Sequence, residues 1–317
     1  MKIAIVGAGG VGGFLGAVLA RAGHSVTLLA RPAHVAAIKE RGLQLESRQF
    51  GNFTASVAAT DEAARLGRND LVFITVKMYD FQEACRTAET ALAEDGFAVT
   101  IQNGLDATDM LASTIGAQRT LTGTIAIEAT LERPGLVTHT TPLHILTLAH
   151  ASGAPSERLV QLQTALADAG LNVQLAESGR RALWDKACVL IPFASLTAAG
   201  DCTLGDIYGI PALKLVWSAL CDEATAVAQA DGYDVRATLD AMLARFAGMA
   251  STAPGFTSSM NRDIRTGRRS ELEWLTGKMI RLGAEKGVPV PEHAALYGLL
   301  TLKEARSRTS DGKTAIA

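Results

Sequence analysis

The stretch that most constrains the fold is the first thirty-one residues, Met1 to Arg31. Lys2-Ile3-Ala4-Ile5-Val6 is a short apolar, β-branched run leading straight into Gly7-Ala8-Gly9-Gly10-Val11-Gly12, with glycines at 7, 9 and 12. A run of this kind reads as a buried strand of a parallel sheet. Phe14 to Ala22 follows as an Ala/Leu helix that stops at Gly23, and Val26-Thr27-Leu28-Leu29 opens a second strand. A G-x-G-x-x-G triplet by itself also fits an ordinary turn. Between a strand and a helix, inside a unit of about thirty residues, it has the context of a dinucleotide-binding turn. Each glycine then has a task. Gly7 permits the tight turn, Gly9 lets the backbone approach a pyrophosphate, and Gly12 lets the helix lie close to the strand. Gly10 and Val11 complete the turn, whose free N–H groups and positive helix end favour phosphate.

The end of the second strand selects the cofactor. In the NAD-binding version an acidic residue roughly 20 residues past the glycines holds the ribose 2′-hydroxyl. No Asp or Glu lies between Met1 and Lys39, and Arg31 stands at that place. A guanidinium, permanently charged and carrying several fixed donors, suits a 2′-phosphate, so the expected cofactor is NADP(H).

At 317 residues the chain has room for two domains and a large core. Thirty Lys and Arg against 32 Asp and Glu give a formal charge of −2, which argues against nucleic acid as the main partner. The densest basic stretch, Arg262, Arg265, Arg268 and Arg269, is interrupted by Asp263 and followed by Glu271 and Glu273, so it reads as a mixed-charge helix face or an acid-binding site. Four widely spaced cysteines, without C-x-x-C, read as reduced buried thiols of a cytoplasmic protein, and the six scattered histidines offer no metal site. The apolar N-terminus is broken by glycines and already used by a strand and helix, and no uninterrupted apolar run reaches the ~18 residues of a membrane helix.

Along the chain, Pro32 to about Arg41 reads as a helix ended by Gly42, and Leu43–Ser47 with Phe53–Val57 as a small extra strand pair. Asp70–Val76 is a buried strand ending at Lys77, Asp80–Leu92 a helix, and Ala98–Ile101 a strand ending at Gln102-Asn103-Gly104. Asp106–Ile115 is helical and Leu121–Ile127 another strand. This alternation marks an α/β fold with a Rossmann-type, doubly wound parallel sheet. Arg31, Lys77 and Asn103 each follow the carboxyl end of a strand, where open α/β sheets bind ligands. Leu136–Ala149 reads as two short strands forming a hairpin at Thr141-Pro142, Ser156–Ala169 as a helix and Asn172–Leu175 as a strand, closing a first domain of residues 1–177. Residues 178–317 carry no strand signal and form an all-helical second domain, with helices at Arg180–Leu190, Pro211–Ala230, Arg236–Ala247, Glu271–Lys286 and Glu292–Ala305 and a polar, frayed tail from Arg306.

Gly7–Gly12, Val76-Lys77, Gln102-Asn103-Gly104, Trp184-Asp185-Lys186 and Ser258-Ser259-Met260 through Glu271 together resemble the ketopantoate reductase (2-dehydropantoate 2-reductase) family, in the family's order and over essentially the whole chain. That resemblance implies an NADP-binding domain joined to a helical domain, an active site between them, and reduction of a 2-oxo acid by NADPH. It implies that Lys186 is the catalytic lysine, Glu271 the carboxylate beside it, Ser259 the serine binding the substrate acid and Asn103 the asparagine near nicotinamide and substrate. Arg31 and Lys77 become the cofactor-side cations. Chemically the lysine suits its part, because a developing alkoxide needs a proton and a nearby positive charge. One departure stands out. Four and eight positions after the lysine, where the family carries pocket asparagines, this chain has Leu190 and Ala194. Loss of two amides removes donors for a substrate's carboxylate and hydroxyl. The expected activity is therefore 2-dehydropantoate reduction in pantothenate biosynthesis. Its rivals are a paralogue acting on a more hydrophobic 2-oxo or hydroxy acid, and a non-catalytic NADP(H)-binding regulator. The expected partners are a small 2-oxo acid and a second copy of the chain in a homodimer, with neither nucleic acid nor membrane.

Overall fold

A computed structural model describes residues 1–153 and 156–310. In chain order its first part runs β1 (Lys2–Val6), α1 (Gly10–Arg21), β2 (Ser25–Leu29), α2 (Pro32–Arg41), β3 (Leu43–Ser47), β4 (Phe53–Ala55), β5 (Ala58–Thr60) and β6 (Asn69–Ile74). It continues with α3 (Phe81–Ala91), β7 (Leu92–Thr100), α4 (Ala107–Ile115), β8 (Thr120–Arg133), β9 (Leu136–His150), α5 (Glu157–Asp168) and β10 (Asn172–Leu175). All ten strands join one sheet in the order β4-β3-β9-β8-β7-β6-β1-β2-β5, with β10 alongside β9. From β8 to β5 every pairing is parallel, the Rossmann-type block expected from the alternation. Beyond it the sheet turns mixed, because β9 returns antiparallel to β8.

Register matters more for the site than strand count. Val6 pairs with Leu29 and with Ile74, and Ile74 pairs with Thr100, so four strands end in one level row. Behind that row Ile3, Ile5, Leu28, Leu71, Phe73 and Val99 are buried together with Phe14, Leu15 and Val18 of α1. At about 1.5–3 kcal/mol for each large apolar side chain, this core rather than any local propensity fixes the strand ends.

Several expectations are corrected. The hairpin does not turn at Thr141-Pro142. β8 and β9 are single long strands that turn at Pro134-Gly135, and Pro142 lies where their pairing shifts, between Ile127 opposite His144 and Ala129 opposite His139. Proline has no N–H to give a ladder, so it produces a bulge that can be mistaken for a turn. The expected strand Phe53–Val57 stops at Ala55, and Ala58–Thr60 crosses to the other sheet edge to pair with β2. The strand expected to end at Val76 ends at Ile74.

The second part comprises α6 (Gly179–Gly200), α7 (Leu204–Gly209), α8 (Pro211–Ala230), α9 (Arg236–Thr252), α10 (Ser259–Arg265), α11 (Thr276–Lys286) and α12 (Pro291–Ser310), and its described residues contain no strand. The helix expected to stop at Leu190 runs ten residues further, through Pro192. A mid-helix proline costs about 3 kcal/mol. Here burial of Ile191, Phe193, Ala194, Leu196 and Ala198 outweighs it. Glu271 does not begin a long helix. It precedes a single 3-10 turn, Leu272–Trp274, and α11 starts at Thr276. α12 extends past the expected Ala305 to Ser310, and the rest of the expected tail lies outside the described residues. By contacts the chain forms two units, Met1–Gln102 with Asp106–Ala182, and Asn103–Leu105 with Leu183 onward.

α6 is also the one helix among the described residues long and apolar enough to cross a membrane, and its most apolar stretch is 72% buried within the protein.

Candidate active site

The glycine turn is built on the row of strand ends. Gly7 follows β1 directly, takes φ +102°, and donates its N–H to the Leu29 carbonyl at 3.1 Å. A Cβ on Gly7 would stand 2.7 Å from Val76 Cγ1, and one on Gly12 would overlap the Gly7 carbonyl and lie 2.5 Å from Thr75 Oγ1. Thr75 Oγ1–H donates to the Gly7 carbonyl, tying the end of β6 to the turn. Gly9 differs from its neighbours: nothing lies within 4 Å of where its Cβ would stand, and it is exposed. That open backbone, directly before the N-terminus of the twelve-residue α1, fits a pyrophosphate. Gly10 and Val11 are half-buried on the first turn of α1.

Three glycines of α1 also have packing reasons that the sequence alone does not show. A Cβ at Gly10 would strike the Ala129 carbonyl of β8, and one at Gly13 would stand 2.6 Å from Val137 Cγ2 of β9. Gly16 has Leu28 Cδ2 at 2.8 Å. The spacing Gly10, Gly13, Gly16 was the available signal, since it puts small residues three apart along the helix.

The cations occupy the same edge of the first unit. Arg31, exposed, is the residue before α2, with φ −65° and ψ 150°. Lys77, half-buried, stands three residues past β6. Its segment is clamped by Gln102, buried at 7% exposure, whose Nε2 donates to the Ile74 carbonyl at 2.8 Å and the Val76 carbonyl at 3.1 Å while Oε1 accepts from Ile101 N–H at 3.1 Å. In the sequence Gln102 reads only as part of the Gln102-Asn103-Gly104 strand end, although an amide is suited to bridging two strands.

Lys186, Glu271, Ser259 and Asn103 all belong to the second unit, and among them Lys186 and Glu271 interact by charge. Lys186 sits near the start of α6. Its neighbour Trp184 is fully buried and donates its indole N–H to Asp231 Oδ2 at 2.9 Å, and Asp231 Oδ1 pairs with Lys286 Nζ at 2.9 Å. Two buried hydroxyl pairs then fix the other functional segments to α6. Ser195 Oγ lies 2.7 Å from Thr276 Oγ1, just beyond the Glu271 turn, and Thr197 Oγ1–H donates to Ser258 Oγ at 2.8 Å. Ser258 also caps α10 by accepting Asn261 N–H at 3.1 Å, which presents half-buried Ser259 as that helix's first residue. Glu271 is 5% exposed, and its carbonyl accepts from Trp274 N–H and Leu275 N–H at 3.0 and 3.1 Å. Gly104, at φ +103°, lets the Asn103 loop lie against Trp274, whose carbonyl would be 2.9 Å from a Cβ there.

Electrostatics single out Lys186. Loss of solvent pushes its ammonium down to about 8, and the carboxylate charge of Glu271 works against that fall. A half-buried, desolvated amine titrating at about 8 near a carboxylate is the arrangement a proton donor requires. Leu190, one turn on, is half-buried, whereas Ala194 is 2% exposed within the helical core. The arginine stretch is divided among local partners: Arg268 pairs with Asp263 at 3.1 Å, Arg265 with Asp201 at 3.5 Å, and Arg269 lies over the Trp274 ring. The four cysteines are buried and free, and the described residues hold no cluster of three metal-ligating side chains.

Comparison with known proteins covers nearly the whole chain. The model of the family "Ketopantoate reductase PanE/ApbA" matches residues 3–153, and that of its C-terminal domain matches residues 179–304. The 2-dehydropantoate 2-reductase of Halobacterium salinarum is 28% identical over 96% of this chain and 99% of its own. Among solved structures, the PanE/ApbA family ketopantoate reductase of Ralstonia eutropha is 32% identical with a TM-score of 0.87, covering 97% of this chain and all of that one. The 2-dehydropantoate 2-reductase of Methylococcus capsulatus is 26% identical with the same TM-score, covering 99% of this chain and 100% of its own. With both family models matched in order and the fold shared end to end, the chain belongs to the ketopantoate reductase family, whose members are NADP-dependent oxidoreductases acting on CH–OH groups.

Proposed function

We propose that this protein reduces 2-dehydropantoate to pantoate with NADPH, the reductive step of pantothenate biosynthesis. The observation that carries this reading is Lys186, desolvated and acted on by Glu271, on the helix to which the Ser259 and Glu271 segments are bonded. Residues 1–177 would hold the cofactor, with Gly7, Gly9, Gly10, Val11 and Gly12 receiving the pyrophosphate, Arg31 the 2′-phosphate and Lys77 the cofactor's charged flank. Residues 178–317 would carry the substrate and the dimer contact. Exposed Leu215, Leu299 and Leu302, at 74%, 58% and 48% exposure on α8 and α12, support a homodimer. The protein acts in the cytoplasm.

The nicotinamide, when bound, supplies a hydride to the carbonyl carbon of the 2-oxo acid. As negative charge grows on the carbonyl oxygen, the Lys186 ammonium stabilises it and then transfers its proton there, leaving a hydroxyl and a neutral amine. Glu271 holds the ammonium and favours its charged form. Ser259 orients the substrate carboxylate, and Asn103 aligns the keto group.

A second reading rests on Leu190. Its half-buried aliphatic side chain stands where the family resemblance places an amide, and this favours a 2-oxo acid with a bulkier apolar side chain.

Both readings require protonated Lys186. For reduction, kcat should be level at acid pH and fall as pH rises through about 8, the value set by burial and Glu271. Glu271→Gln removes the charge that raises this value, so its falling limb should move to lower pH. A pH profile of NADPH-dependent 2-dehydropantoate reduction checks this, and a limb unmoved in Glu271→Gln, or activity rising through pH 8, would contradict the assigned roles.

A further inference from the structure

The β8–β9 hairpin extends past its bulge as an arm, Ala129–Arg133 paired with Leu136–His139, and this arm closes over the glycine turn. The Ala129 carbonyl fills the space that a Cβ on Gly10 would need, and Val137 Cγ2 fills that of Gly13. The arm's tip meets α2, where Gly135 would put a Cβ 3.2 Å from Ala37 Cβ, and the Gly135 carbonyl accepts from Gln44 N–H of β3 at 2.8 Å. One side chain joins these pieces. His34, on the first turn of α2 and 4% exposed, accepts the Gly135 N–H on Nδ1 at 2.9 Å.

That bond settles the state of the ring. An Nδ1 that accepts carries no proton, so the imidazole is neutral with its hydrogen on Nε2. Burial also lowers His34 below the usual 6.5, and the backbone of Ala8, inside the glycine turn, is the group that opposes this fall. Nε2 is itself buried without a completed hydrogen bond. The neutral ring therefore lies between the arm tip and the turn.

We propose that His34 is a positioning residue for cofactor binding: it latches the β8–β9 arm onto α2 beside the glycine turn, and so fixes the backbone shape that receives the pyrophosphate. This rests on the reading of Gly7–Gly12 as the cofactor turn. Without the imidazole the buried Gly135 N–H loses its acceptor and the arm tip loses its tie to α2, leaving the β3 pairing to hold it, so the Ala129 carbonyl backs Gly10 less firmly.

Three variants separate the latch from simple space filling. His34→Phe fills the site without an acceptor. His34→Gln reaches towards Ala8 but offers no acceptor at the Nδ1 position. His34→Asn keeps an oxygen close to that position and so keeps the Gly135 bond. Titration of the full-length protein with NADPH, followed by nicotinamide fluorescence, should give a Kd raised about tenfold in Phe and Gln, the loss of roughly one buried hydrogen bond, and within about twofold of wild type in Asn. With NADPH saturating, kcat and the substrate KM should stay at their wild-type values in all three. If either folded acceptor-less variant binds NADPH like wild type, or if Asn is as weak as Gln, the latch is wrong. If wild type itself does not bind NADPH, the cofactor reading fails instead.

Discussion

Lys186→Ala should lower kcat by about 10²–10⁴ while leaving NADPH affinity near its wild-type value, because in the proposed mechanism the lysine supplies the proton and the charge that the alkoxide needs. The size of the effect follows from the site. Desolvation brings the ammonium to about 8, close enough to working pH for it to donate its proton readily. The same low-dielectric surroundings strengthen its attraction for a developing negative charge. Lys186→Arg would keep the charge, but its guanidinium does not release a proton in this range, so it should recover little. Rapid-mixing and steady-state measurements of reduced-nicotinamide absorbance would separate the hydride step from binding. A Lys186→Ala enzyme with near-normal turnover would remove this residue from the mechanism. The fold should survive the change, since Trp184 with Asp231 and the two hydroxyl pairs anchor α6 independently of the lysine.

Arg31→Ala should weaken NADPH far more than NADH. A charge-assisted contact with a phosphate contributes about 1.5–3 kcal/mol, hence roughly 10–100-fold in affinity. Arg31 is exposed, so the loss should lie towards the lower end and shrink with added salt. Arg31 is the residue before α2, two positions past the row of strand ends, and its carbonyl accepts from His34 N–H and Val35 N–H at 2.9 and 3.1 Å, which fixes where the side chain leaves the chain. Equal losses for the two dinucleotides would show that Arg31 does not read the 2′-phosphate. Isothermal titration with each dinucleotide decides it.

What could be read from the residues alone was what short-range chemistry dictates. The β-branched runs at Lys2–Val6 and Asp70–Ile74 have few alternatives to buried strands, and Gly7 has few alternatives to a left-handed turn. The ends of elements were less legible, because tertiary burial decides them. Pro142 suggested a turn but sits in a bulge, and the helix expected to end at Leu190 runs on through Pro192 to Gly200. α7 and α10, of six and seven residues, are too short to show a helical period. In the site, residue types pointed to Lys186 and Glu271, but the means of holding them did not appear. The Ser195–Thr276 and Thr197–Ser258 pairs join positions 81 and 61 residues apart, and no local pattern in a sequence encodes such a bond. Gln102 and His34 were hidden for the same reason. Each makes its decisive bond to backbone, and a backbone partner leaves no mark on residue identity.

The most direct test of the central claim is NADPH consumption by the purified protein with 2-dehydropantoate, set beside branched and aromatic 2-oxo acids in the same assay. The account predicts NADPH-dependent turnover of 2-dehydropantoate, with the highest kcat/KM of the series, carried by Lys186 although Leu190 and Ala194 replace two amides. A higher kcat/KM for a bulky apolar 2-oxo acid would contradict the substrate assignment and give the pocket to the second reading. No NADPH consumption with any acid, despite tight NADPH binding, would contradict the enzymatic account altogether.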